Sequence, residues 1–291
     1  SAARRKRYLK SEAVKLSFLA PALALFIFAM VVPFFMGIHI SFTDWNGLAR
    51  DYNFVGLENY KRVFRTDDIL IPLKNTVYYG LMYVVGNNVL ALALALALNR
   101  AFRGRNVSRL IFFIPTALSP VLAAFVFTFI YKNLFNQMFG IQSLFSSTST
   151  AMIGILLMAL WHNVGINMLI YLAALSGVPK ELYEAAIMDG ATKFQRVLRI
   201  DLPMILPTIV ILLILAMGGI LNAGFDQIFN LYNPVVYPSG DIIDTYVYRV
   251  GLVQAQFGFA TAVGLLKSLI GFVLIIISYR LAYQFANYRI F

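Results

Sequence analysis

From Ser176 to Pro207 the chain reads SGVPKELYEAAIMDGATKFQRVLRIDLPMILP, a polar interval between two long apolar runs, and how this interval turns decides the fold. Pro179 suits the first turn of a helix, where its missing N–H would have had no partner. Glu181 and Glu184 then lie toward the positive end of the helix dipole. Gly190 ends that helix, because glycine accepts the left-handed backbone of a helix C-terminus without a Cβ clash. Thr192, followed three residues later by Gln195, makes a capping box that opens a second short helix, which is expected to stop before Pro203. The interval is thus an elbow of two short helices set at an angle.

Outward from the elbow, hydrophobic runs long enough to cross the roughly 30 Å hydrocarbon layer as helices recur along the chain. They lie at about Leu16 to Ile40, Asn75 to Leu98, Leu110 to Tyr131, Met152 to Leu175, Leu206 to Phe225 and Phe259 to Tyr283. Of 291 residues, 60% are apolar and 13% charged, with a mean hydropathy of +0.76. A soluble domain of this length could not bury so much apolar surface. The expected fold is all-α: one polytopic membrane domain over residues 1–291 with six spans and an elbow loop at 176–205. Leu90 to Leu98 alternates Leu and Ala like a strand, but a lipid-facing helix requires no period, and length decides for helix. Pro21, Pro33, Pro115, Pro120 and the Gly218-Gly219 pair fall within or near spans, where they permit packing adjustments or hinges. Arg4, Arg5, Lys6, Arg7 and Lys10 precede the first run. That run is too long for a cleavable signal peptide and no small-residue cleavage site follows, so it is read as retained. Ser1 leaves open what native sequence precedes it.

Six spans put both ends on one side, and Lys and Arg resist translocation. With both termini cytoplasmic, 16 of the 24 basic residues lie on the cytoplasmic side, counting Arg280 at the inner end of the last run, and 7 in outer segments, and Lys267 is left inside the last span. The basic balance is therefore topology and not nucleic-acid binding, and the expected location is a membrane with both termini cytoplasmic. The first outer loop, Ser41 to Lys74, bends the rule, since its five basic residues are matched by five acidic ones.

Several chemistries are excluded or weakened. There are no cysteines, and His39 and His162 lie far apart without metal-ligand spacing. No G-x-x-x-x-G-K-[ST] run exists to wrap phosphates, so this chain is not an ATPase. Glycosidase work wants two carboxylates across a sugar ring, whereas the outer acids are scattered among turn residues and basic neighbours.

Glu184-Ala185-Ala186, Gly190 six residues after the glutamate, then Ile200, Leu202 and Pro203, reproduce the pattern E-A-A-x(3)-G-x(9)-I-x-L-P. This resembles the signature of ABC importer permeases. The resemblance extends from Ser41-Phe42-Thr43-Asp44-Trp45 and Phe54-Val55-Gly56-Leu57-Glu58-Asn59-Tyr60 through Asn75-Thr76 to the last span, and is similar to maltose-type and glycerophosphate-type sugar permeases. Gly224 to Leu252 looks closer to the oligosaccharide and polysaccharide branch, which includes alginate importers. The resemblance implies that the elbow is a coupling helix docking on an ATPase subunit. Glu184 would pair with a basic group there, Ala185 and Ala186 would permit close packing, and Gly190 would allow the turn, with Asp189 and Ala191 beside them. It also implies a second related permease, two ATPase subunits that carry ATP and Mg, and an external solute-binding protein.

A carbohydrate path needs aromatic faces for the pyranose ring and amide or hydroxyl groups for its edges, on inward helix faces. The fourth run offers Trp161, His162, Asn163 and Asn167, the two asparagines four apart and so on one face. The corresponding span lines the sugar site in maltose-type permeases, so the resemblance points the same way. Interhelical hydrogen bonding would use the same residues. Asn87, Asn88, Asn222, Asp226 and Asn230 form a second tier. Lys267 either serves a functional site or snorkels to the interface. The outer segment from Tyr232 to Phe257, with the loop from Ser41 to Lys74, is expected to form the platform for the solute-binding protein. A smaller sugar or a glycerophosphate-type solute is the alternative cargo. An ion-coupled secondary transporter would need repeats and intramembrane carboxylates that the sequence does not display.

Overall fold

Backbone groups in lipid have no solvent to bond and must pair within their own segment, which makes helices of the apolar runs. The computed structural model describes residues 15–140, 147–222, 224–231 and 234–286. The basic run at 4–10 and Tyr232 lie outside them. Among the described residues, five helices are long and apolar enough to cross a membrane: Lys15–Ser41, Asp67–Leu98, Thr150–Ser176, Lys193–Gly218 and Phe257–Arg280. These are the first, second, fourth, fifth and sixth apolar helices. The third run is broken: Arg105–Ala117 and Pro120–Phe129 meet at a bend of 112°. Pro120 forces the residue before it into extended backbone, and Ser119 (ψ 150°) then caps the new helix by accepting the Leu122 N–H at 3.3 Å. The described residues are otherwise helix and turn, with one isolated bridge between Thr43 and Phe54.

Two prolines are carried through long helices by the same device. A π turn, Ile27–Val31, precedes Pro33, and another, Val197–Asp201, precedes Pro203. In each the residue before the proline donates across five positions, Val32 to the Ile27 carbonyl and Leu202 to that of Val197. The extra residue in the turn gives the ring room where an α-register would set it against a carbonyl. The second elbow helix therefore does not stop before Pro203, as expected from sequence. It continues through the π turn into the fifth apolar helix, which ends at Gly218, so Gly218 and Gly219 terminate a helix and do not kink one. A 3-10 turn, Ile220–Asn222, follows it.

The chain divides into two compact units, residues 1–65 with 247–265, and 66–246 with 266–291. In the first, the two aromatic motifs at 41–45 and 54–60 hold each other. Asn59 donates to the Ser41 carbonyl at 2.9 Å and the Thr43 carbonyl at 2.8 Å, and Ser41 and Tyr60 share a hydroxyl bond of 2.7 Å. The Asn53 N–H at 2.7 Å and its side-chain amide at 3.1 Å hold the Asp44 carboxyl below the usual carboxylate range. Arg62 lies 4.2 Å over the ring of Phe259.

In the second unit the second and fourth apolar helices form the principal pair. Ala91 and Ala95 are fully buried with Val164, Met168, Tyr171 and Leu172, whereas Ala93 and Ala97 are exposed. The Ala-Leu run is thus an interhelical face rather than a purely lipid-facing one, since small residues four apart let backbones approach. Gly165 serves the same end: a Cβ there would stand 2.4 Å from the Phe112 carbonyl oxygen of the broken third helix.

Candidate functional site

The elbow is fixed by caps at every turn. Its first helix spans Lys180–Met188, with Pro179 immediately before it. Gly190 has φ +73°; its N–H donates to the Ile187 carbonyl and that of Ala191 to Ala186, the paired bonds of a Schellman end. Thr192 and Gln195 then cap each other, at 2.7 and 3.2 Å. Two attachments root the elbow. Val178 is buried in the core shared by the second, fourth and fifth helices, and the Tyr183 hydroxyl donates to Asp201, a buried carboxylate in the π turn. Burial and that carboxylate push the Tyr183 phenol well up from its ordinary value.

What the elbow leaves outside is as informative. Glu184, Ala185, Asp189 and Gly190 are exposed, and Ala186 and Ala191 are half-buried. Ile187 is 57%, Met188 88% and Phe194 70% exposed. Beside them Ala186, Asp189, Gly190, Ala191, Arg196 and Arg199 line a cleft of about 280 Å³. The elbow thus leaves a large apolar surface, a carboxylate and a small-residue cleft open beside one another.

A second site lies among the helices of the same unit. A cavity of about 470 Å³ is lined by Tyr79, Tyr83, Asn87, Asn163, Asn167 and Gln227, with Leu212, Leu215 and Ala216 of the fifth helix opposite. Asn163 and Asn167 thus come together with Asn87, as their inward placement requires. Asn87 is 5% exposed and its Oδ1 is buried without a partner among the described residues. Asn163 satisfies its own amide on the Ala159 carbonyl at 2.9 Å. The rings of Tyr79 and Tyr83 are stacked, 6.0 Å apart and 7° from parallel.

Other predicted residues go elsewhere. His162 is buried between the Leu118 carbonyl, 3.0 Å from Nε2, and Gln227, 3.2 Å from Nδ1, tying the fourth helix to the broken third. Trp161 packs on Phe127 at 5.9 Å. Asn88 accepts from the Tyr171 hydroxyl of the fourth helix at 2.8 Å and donates to the Val84 carbonyl one turn back on its own helix. Asp226 and Asn230 are exposed on the short helix Phe225–Leu231 and bond each other locally. The side chain of Asn222 lies outside those described. Lys267 pairs with Asp244 of the helix Ile243–Tyr248. Tyr79, Tyr83 and Gln227 escaped the sequence reading. Tyr79, Tyr83 and Asn87, spaced by four on one helical face, carried a usable signal.

The family model described as "Binding-protein-dependent transport system inner membrane component" matches residues 88–286. Protein LplB of Bacillus subtilis is 33% identical over 94% of this chain and 89% of its own length. The polygalacturonan/rhamnogalacturonan transport system permease protein YteP of the same organism is also 33% identical, over 93% and 88%. Among solved structures, a chain of a bacterial ABC transporter involved in the import of the acidic polysaccharide alginate superposes with a TM-score of 0.86 at 26% identity, covering 97% of this chain and 99% of that one. With the elbow and the polar cavity in place, these likenesses identify the chain as a member of the binding-protein-dependent transport system inner membrane components, a permease and not an enzyme.

Proposed function

We propose that this permease forms, with a second related permease, the path of an ATP-driven importer for an oligosaccharide or polysaccharide, alginate or another uronic-acid glycan being the substrate class to test. The elbow carries this reading. Glu184, Ala185, Ala186, Asp189, Gly190 and Ala191 stand on or beside a capped face whose large apolar side chains, Ile187, Met188 and Phe194, are mostly exposed. Such a face fits the cleft of an ATPase subunit, which would supply ATP and Mg. Both termini and the elbow then lie on the cytoplasmic side, and a solute-binding protein delivers the glycan from outside. The alginate transporter has also been crystallised with an alginate pentasaccharide-bound periplasmic protein, which supports that partner.

The cavity is the proposed sugar path. Its stacked tyrosines offer a face for a pyranose ring, and Asn87, Asn163, Asn167 and Gln227 offer amides for hydroxyls. Its named polar residues are neutral, and Lys267 is already paired with Asp244. The cavity therefore reads hydroxyl edges, and the uronate assignment draws its support from the relatives.

The test is ATP-dependent uptake into proteoliposomes holding the assembled importer and its binding protein. Labelled oligogalacturonate or oligoalginate should enter, and neutral oligosaccharides should compete poorly. Uptake of neutral sugars alone would refute the glycan class, and solute movement by this chain alone down an ion gradient would refute the importer. Orientation is read by single cysteines, for which a chain without native cysteine is ready made: Met188→Cys should react only with membrane-permeant reagents.

A further inference from the structure

A cationic cleft lies at the root of the elbow, where the second apolar helix ends at Leu98 and the fifth begins at Lys193. It holds about 230 Å³ and presents Arg100, Lys193 and Arg196 against a single carboxylate, Asp201. Asp201 is already engaged by the Tyr183 hydroxyl. Among the described residues none of the three cations has a side-chain hydrogen bond or ion pair, and Nε of Arg196 is buried without an acceptor. A guanidinium nitrogen removed from water and left unbonded is costly, and an oxyanion would satisfy it.

We propose that this cleft binds the phosphate of an anionic phospholipid headgroup, held by Arg100, Lys193 and Arg196. Two observations favour a lipid over a free phosphate. The cleft sits at the common end of two membrane-length helices, the depth at which headgroups lie, and Leu96 and Val197 give it an apolar wall beside the cations. A headgroup there joins the end of the second apolar helix to the second helix of the elbow. The inference goes beyond the import reading and does not depend on which glycan is carried.

The test uses the assembled importer in nanodiscs with photoactivatable phosphatidylglycerol or phosphatidylcholine, crosslinks being mapped by peptide sequencing. Phosphatidylglycerol should label segments 96–109 and 193–201 at least several-fold more than phosphatidylcholine. Arg100→Gln with Lys193→Gln should cut that labelling by roughly tenfold or more, about fivefold for each charge removed. Arg100→Lys, which keeps the charge, should retain most of it and shows that loss in the double variant is not misfolding. Equal labelling by the choline lipid, or unchanged labelling in the double variant, overturns the proposal. So does competition by millimolar inorganic phosphate, which marks a small-anion site, or labelling seen only after the ATPase subunits are stripped, which marks a partner-covered surface. Labelling is read without transport, so a wrong glycan leaves it unaffected.

Discussion

The elbow and the polar cavity belong to one compact unit and are built on opposite principles. The elbow is held by neighbours in sequence: Gly190 with Ile187, Ala191 with Ala186, Thr192 with Gln195. The cavity is assembled from residues far apart, Tyr79 and Asn87 from one helix, Asn163 from another, Gln227 from a short helix beyond the fifth. Local bonding sets the shape of the elbow without drawing on the large side chains it exposes. Long-range assembly makes the cavity responsive to any shift between helices.

Breaking the elbow should give the largest effects on transport at a modest cost in folding. Glu184→Ala removes an exposed carboxylate and should abolish coupled uptake while changing stability by less than about 0.5 kcal/mol. Gly190→Val sets a branched side chain at φ +73°, at a strain of about 1–2 kcal/mol, or about tenfold in the population of the correct turn. Proteoliposome uptake and ATPase assays on the assembled importer, beside membrane-insertion measurements, check both, and normal coupled transport in either would remove the proposed coupling role.

The cavity region should separate into a structural and a functional asparagine. Asn88→Ala leaves the buried Tyr171 hydroxyl without its acceptor and should cost about 1–3 kcal/mol in unfolding, with no specific change in sugar affinity. Asn87→Ala removes an oxygen that bonds nothing among the described residues, so stability should hold while the apparent KM for glycan rises about two- to tenfold. If Asn87→Ala destabilises and leaves KM unchanged, the cavity is packing and not path. The smallest effect is expected from Thr192→Ala, about 1 kcal/mol from the lost cap, seen as faster amide exchange confined to the elbow.

The same contrast explains what could be read without a structure. Pro179, Gly190 and the Thr192-Gln195 box act over a few residues, so their pattern survives in one dimension. The break in the third run did not, because Pro120 reads equally well as a tolerated kink and as the start of a new helix. The continuation through Pro203 was hidden for a related reason: a π turn adds a residue that no composition rule announces. His162, singled out for its chemistry, proved to be a strut, since its two partners, Leu118 and Gln227, are 44 and 65 residues away. Ala91 and Ala95 carried a period of four beneath a more conspicuous period of two, and burial follows the four.

The π turn at Val197–Asp201 has a geometric consequence for the pathway as a whole. Each residue of a helix advances the azimuth by about 100°. Tightening the turn to plain α geometry with every residue kept would swing the elbow about a third of a revolution relative to Leu212, Leu215 and Ala216 on the cavity wall. One surplus amino acid thus sets the compass bearing of the elbow's exposed face relative to the cavity wall.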